Sequence, residues 1–137
     1  HKFEITHRSK RAEEKIIKSW VEKFSIKTSG PDALIKSLSG GNQQKVVIAR
    51  CLQTNPKILI LDEATRGVDL GAKAEIYEIL RNLANEGLSI LVVSSEIGEI
   101  FEISDRILVM HAGEISANLD RSKTNEAEVV AAATGVK

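Results

Sequence analysis

Two short apolar runs constrain this chain more than any other feature. Ile58-Leu59-Ile60-Leu61 ends in Asp62-Glu63, and Ile90-Leu91-Val92-Val93 ends in Ser94-Ser95. Continuous apolar runs of this length predict strands, over 58–64 and 89–95, buried on both faces as in parallel sheets. Between them, residues 71–85 place Ile76, Ile79, Leu80 and Leu83 on one helical stripe, with Gly87 as its stop. Strand, helix, strand predicts an α/β fold with a mostly parallel sheet flanked by helices. Ligands of such sheets sit beyond the carboxyl ends of the strands. Asp62-Glu63 and Ser94-Ser95 fall at two such ends.

The flanking chain reads as further elements. Ile16, Ile17, Trp20, Val21 and Phe24 form the apolar stripe of a helix over about 8–25. Thr28-Ser29-Gly30-Pro31-Asp32 breaks it, and Asp32 is expected to start a short helical turn through Ile35. Ser39 suits the N-cap of a helix from about Gly41 to Thr54, closed by Asn55-Pro56. A short helix over 97–104, a hairpin of 106–111 and 114–119 turning at Ala112-Gly113, and a last helix over 124–134 complete the pattern. No internal repeat interrupts it.

Composition excludes several classes. Formal net charge is zero over 137 residues, so no global field draws the chain to nucleic acid. The first 27 residues carry eight Lys/Arg against four Glu, which reads as a solvated helix face. A single cysteine, Cys51, excludes an internal disulfide framework; its apolar neighbours predict a small buried core residue. No run approaches the roughly 18 apolar residues of a membrane span, and no signal peptide is visible. His1, His7 and His111 are read as surface or turn residues, and Trp20 and Phe24 as core.

Asp62 and Glu63 carry the strongest chemical signal. Two acids at the tip of an apolar strand are costly to desolvate without a cation or hydrogen bonds. Neighbours on a strand face opposite sides, so one carboxylate can meet Mg²⁺ while the other faces a reacting water. Taken alone, the pair fits equally well a strand ending in a solvated acidic turn. The loop Ser37-Leu38-Ser39-Gly40-Gly41-Asn42-Gln43-Gln44 opens onto an apolar helix, in the manner of a phosphate cradle, yet has no lysine at the phosphate-loop position.

Three motifs in this order carry a resemblance. "LSGGNQQ" (38–44), "ILILDEA" (58–64) and "ATRGVD" (64–69) are similar to the signature motif, the Walker B strand with its catalytic Glu, and the D-loop of the ATP-binding-cassette (ABC) ATPases. "LSGGNQQKVVIAR", "RGVD" followed by "GAKAEIYEIL", and "VSSE" before "SDRI" resemble the second cassette of the tandem ATPases of bacterial ribose-, xylose- and galactose-type importers. The resemblance implies a partial P-loop NTPase fold, with residues 1–54 part of the helical subdomain and 55–137 the later part of the core. It implies Asp62 as the Mg²⁺ residue and Glu63 as the catalytic residue. It implies ATP contacts from Ser39, Gly40, Gly41, Gln43 and Asp69, made in trans to nucleotide held by a second cassette. Ser95 stands where most members have a histidine that organises the attacking water. A serine hydroxyl is shorter and uncharged, so hydrolysis at this cassette's own site is expected to be weakened.

No GxxxxGK[ST] stretch occurs, and the glutamine loop of such cassettes is expected to precede His1. The chain is thus expected to be the second half of one cassette, inactive by itself and prone to self-association through an open sheet edge. The resemblance further implies integral membrane permease subunits, a sugar-binding protein acting indirectly, the cytoplasmic face of the bacterial membrane, and no nucleic-acid partner. A nucleoside importer ATPase, a soluble ABC protein acting on ribosomes or nucleic acid, and a non-catalytic regulatory cassette are the alternatives.

Overall fold

A computed structural model describes residues 10–135. The expected helix start at Arg8 and the reading of His1 and His7 lie outside them. The order is α1 (Lys10–Lys23), a 3-10 turn (Ile35–Ser37), α2 (Gly40–Leu52), β1 (Ile58–Asp62), α3 (Leu70–Asn85), β2 (Ser89–Val93), α4 (Ile97–Ile103), β3 (Arg106–His111), β4 (Glu114–Asp120), a second 3-10 turn (Arg121–Lys123) and α5 (Glu126–Thr134). The short turn expected from Asp32 thus begins three residues later, at Ile35.

The chain divides into two compact units. One takes the chain up to Lys57 together with Thr65–Ile79. Its core holds Phe24, Ile26, Ile48, Ala49, Ile76 and Tyr77. Trp20 is half-buried and meets Phe24 edge-on, ring centroids 5.4 Å apart. Ile16 and Ile17 of the expected stripe are exposed. On α2 the buried positions are Gly41, Lys45, Ile48 and Ala49. Cys51 is exposed, contrary to expectation. It lies one residue, about 100°, round the helix from Leu52, off the face that Gly41, Lys45 and Ile48 define. Lys45 occupies the core place that an apolar count cannot assign to a lysine.

The second unit comprises Ile58–Ala64 and the chain from Leu80 onward. β1 and β2 pair in parallel, with Leu59 opposite Ile90, Leu61 opposite Val92 and Asp62 opposite Val93. The expectation of burial on both faces fails. Leu59 and Leu61 are buried, but Ile58 and Ile60 on the other face are 61% and 65% exposed, next to exposed Leu91 and Val93. An apolar run states what a strand can bury; only the neighbouring elements decide what it does bury. β3 and β4 form the expected hairpin. Ala112 and Gly113 both have positive φ (48° and 85°), as a two-residue turn of primed type requires. Ile107 and Val109 of β3 pack with Val129 of α5, and Ile100, Phe101, Ala117 and Leu119 close that cluster. Asn125 caps α5 by accepting the Glu128 N–H at 3.0 Å, and Gly135 ends it with φ 72°. On α3, Ile76, Leu80 and Leu83 are inward as expected, while Tyr77 takes the buried place expected for half-buried Ile79.

Candidate functional site

Each unit carries one set of the residues singled out by sequence. In the first, Ser39 has an extended backbone at the N-cap position of α2. Its hydroxyl does not cap the helix. Ser39 Oγ instead accepts from Asn42 Nδ2 at 2.8 Å, and Asn42 Oδ1 accepts the Lys27 N–H at 2.8 Å. The first main-chain bond of the helix runs from the Gln43 N–H to the Ser39 carbonyl, 2.9 Å. The N–H groups of Gly40, Gly41 and Asn42 therefore precede the intrahelical ladder and remain uncapped by Ser39, at the positive end of the helix dipole.

The two glycines have different jobs. A Cβ on Gly40 would meet nothing within 4 Å. One on Gly41 would stand 2.3 Å from the Cβ of Ala72 on α3. Gly40 thus keeps the backbone open to approach, and Gly41 permits the contact between the two helix starts. Gln43 points back: its Nε2 donates to the Leu38 carbonyl at 2.8 Å, bracing the loop from behind.

Asp69 stands at the N-terminus of α3. Its Oδ1 accepts the Ala72 N–H at 3.0 Å and its carbonyl accepts the Lys73 N–H at 2.9 Å, so it is the N-cap of that helix. The loop before it turns through Gly67 (φ 75°), with the Val68 N–H bonded to the Thr65 carbonyl at 3.1 Å. Two residues that sequence did not single out support this unit: Asn42, and Lys45, whose Nζ lies 2.6 Å from Glu75 Oε2. That ammonium, by hydrogen bond and by charge, holds the Glu75 carboxyl below the ordinary glutamate value. No spacing rule flags Asn42 or Lys45, because both act across separate segments of the chain.

In the second unit, Asp62 is the last residue of β1 and is exposed. Glu63 is not on the strand, as the expected span 58–64 had it. Its backbone turns to φ 48°, so its direction follows from a left-handed turn and not from strand alternation. Such a conformation at a non-glycine costs about 1–3 kcal/mol and persists where its surroundings fix it. Here two bonds do so. The Glu63 N–H donates to the Val93 carbonyl at 2.8 Å, and Glu63 Oε1 accepts the Ser95 N–H at 2.8 Å. Ser95 contributes its main chain to this bond. Ser94 Oγ accepts the Glu96 N–H at 3.0 Å and shapes the turn that presents Ser95. The strand ends thus hold one exposed carboxylate and one tethered carboxylate, side by side in sequence.

Each unit offers a different kind of group to a magnesium nucleotide. Among the described residues no group of three or more His, Cys, Asp or Glu is placed to cage a metal. Mg²⁺ rarely uses such a cage; one carboxylate plus water and substrate phosphates suffices, and the exposed Asp62 is a carboxylate of that kind. The uncapped N–H groups beside the open Cα of Gly40 suit a phosphate. Taken separately, the carboxylate suits a cation and the N–H groups suit a phosphate.

The parallel pair β1–β2, with carboxylates at its carboxyl end, makes an α/β arrangement, and the solved structures that the chain resembles are ATPase cassettes of the P-loop NTPase fold. The solved structures it resembles specify the branch. It superposes on the dimeric bacterial ABC transporter cassette MJ0796 (TM-score 0.71, 26% identity, 83% of this chain and 49% of that one). It matches the ADP conformation of the ABC transporter cassette MJ1267 equally well (TM-score 0.71, 27% identity, 95% and 48%). The ABC transporter family model matches residues 2–66. The xylose import ATP-binding protein XylG of Escherichia coli (strain K12) is 50% identical over 122 residues, 89% of this chain and 24% of that protein. The ribose import ATP-binding protein RbsA of Caldanaerobacter subterraneus subsp. tengcongensis is 49% identical over 123 residues, 90% of this chain and 25% of that protein. The chain is thus similar to the ABC transporter ATPases along most of its length, and it spans about a quarter of the length of these curated relatives.

Proposed function

We propose that this chain is part of the ATP-hydrolysing subunit of a bacterial sugar importer. Residues 1–54 belong to its helical subdomain and 55–137 to the later part of its ATPase core. The observation that carries the reading is the Glu63 carboxylate, tethered by the Ser95 N–H one residue beyond the exposed Asp62. A base must be held in place to take a proton from an attacking water. One oxygen of Glu63 is committed to the tether, which aims the other.

Asp62 would hold Mg²⁺ through one oxygen or a bridging water. Bound Mg²⁺ supplies neutralisation of the charge on the transferring phosphate. Ser39, Gly40 and Gly41 present main-chain N–H groups to the γ-phosphate of ATP bound by a second cassette. Gln43 acts from behind, by fixing Leu38. Asp69 both caps α3 and faces that second cassette. Permease subunits in the membrane receive the motion, and a sugar-binding protein delivers cargo to them. Among the described residues no helix is long and apolar enough to cross a membrane, which suits a subunit docked at the cytoplasmic face. The names of the xylose and ribose import relatives support a pentose-type cargo.

The test uses the full-length protein that contains this chain. Glu63→Gln preserves shape and hydrogen bonding but removes the base, and turnover of ATP is expected to fall roughly 10²–10⁴-fold. Unchanged turnover would sink the reading. Ser95→His is expected to raise turnover at this cassette's own site, since it adds a titratable nitrogen beside Glu63. No gain means that serine already suffices there.

A further inference from the structure

Lys45 lies in the middle of α2, is 1% exposed, and is not used by the chemistry above. A buried ammonium is expensive to desolvate, and an apolar residue of similar volume is often as stable or more so. Its presence calls for a reason other than stability. Lys45 Nζ contacts Glu75 Oε2 at 2.6 Å and the Ser25 carbonyl at 3.4 Å. It therefore joins three segments: the turn just after α1, the helix that begins with Ser39-Gly40, and the helix capped by Asp69. Four residues earlier on α2, one turn toward the N-terminus, Gly41 touches Ala72 with no room for a Cβ between them. Ala72 is one turn before Glu75 and gives its N–H to Asp69. Two successive turns of α2 are thus pinned to two successive turns of α3, one by packing and one by charge.

We propose that Lys45 is a positioning residue that fixes the spacing between the Ser39-Gly40 helix start and the Asp69 loop, so that both reach a nucleotide as one rigid unit. Packing alone allows two helices to slide or rotate; a directional ion pair beside it removes that freedom. This inference rests on the functional reading above, because the rigid unit matters only if both motifs meet ATP.

The experiment separates the two. In the full-length protein, Lys45→Met combined with Glu75→Leu replaces the ion pair by an apolar contact of similar volume. The melting temperature is expected to stay within a few degrees of wild type. The kcat for ATP is expected to fall at least tenfold with KM nearly unchanged, because the rigid unit tightens on the transition state and not on the resting nucleotide. Lys45→Arg, which keeps the charge, is expected to restore at least half of kcat. Spin labels at Arg50 and Glu78, with Cys51→Ser, report the α2–α3 spacing directly. Their distance distribution is expected to broaden in the double variant and to narrow again in Lys45→Arg. Should the double variant not fold, Glu75→Gln alone, altering a half-exposed side chain, must show the same broadening and kcat loss in smaller measure. Wild-type kcat with a broadened distribution, or a narrow distribution with lost kcat, overturns the proposal. A wild-type protein that does not hydrolyse ATP overturns the functional reading instead, while the label measurement still decides whether Lys45 sets the spacing.

Discussion

Replacing Gly41 by alanine would place a methyl 2.3 Å from the Ala72 Cβ, where ordinary contact begins at 3.4 Å. The helices must part by roughly 1 Å or the backbone of α2 must shift, and overpacking of this kind costs about 1–3 kcal/mol. Alanine returns up to about 1 kcal/mol of helix propensity over glycine. With the full return, the balance is a net destabilisation of up to about 2 kcal/mol. Gly40 provides the internal control. Its added methyl meets nothing, so Gly40→Ala keeps the propensity gain and is expected to be neutral or stabilising by up to about 1 kcal/mol. Urea unfolding of the chain, followed by helical circular dichroism, measures both. With a slope of about 2 kcal/mol/M, Gly41→Ala should lower the midpoint by up to roughly 1 M. Adding Ala72→Gly removes the opposing methyl, and most of the midpoint should return through a coupling term. Gly41→Ala as stable as Gly40→Ala, or no coupling with Ala72→Gly, would refute a direct contact between the helix starts.

Glu75 predicts a pH response. Its carboxyl is held below the ordinary value of 4.5 by the hydrogen bond and charge of Lys45. A depressed folded-state value gives stability that is present above 4.5 and lost as pH falls through the folded value. The urea midpoint should be flat from about pH 8 to 6 and decline below 4.5, and Glu75→Gln should flatten that acid limb. An unaltered acid limb in Glu75→Gln argues against the ion pair. Ala112, at φ 48° in the β3–β4 turn, predicts the opposite sign: Ala112→Gly should stabilise by about 0.5–1 kcal/mol, read as a raised melting temperature.

Legibility in the sequence followed the range of the interaction. Strand and helix positions came from local periodicity, and β1, α3, β2 and the β3–β4 hairpin stand within a few residues of their expected places. Asp62, Glu63, Ser39 and Asp69 were visible because their motifs are contiguous. What escaped depends on partners far along the chain. Lys45 meets Glu75 thirty residues later, Asn42 meets Lys27 fifteen earlier, and Glu63 meets Ser95 thirty-two later. Burial failed for the same reason. Ile60 and Leu61 are equally apolar, yet one is exposed and the other buried, because only one face of β1 is covered in this chain.

The tether on Glu63 is made by a main-chain N–H. Nineteen of the twenty residue types supply that donor, and proline alone withholds it. Position 95 can therefore drift in side chain without releasing the carboxylate. The grip on Glu63 is inherited from the path of the backbone, and it leaves the side chain at 95 as a separately adjustable element of the site.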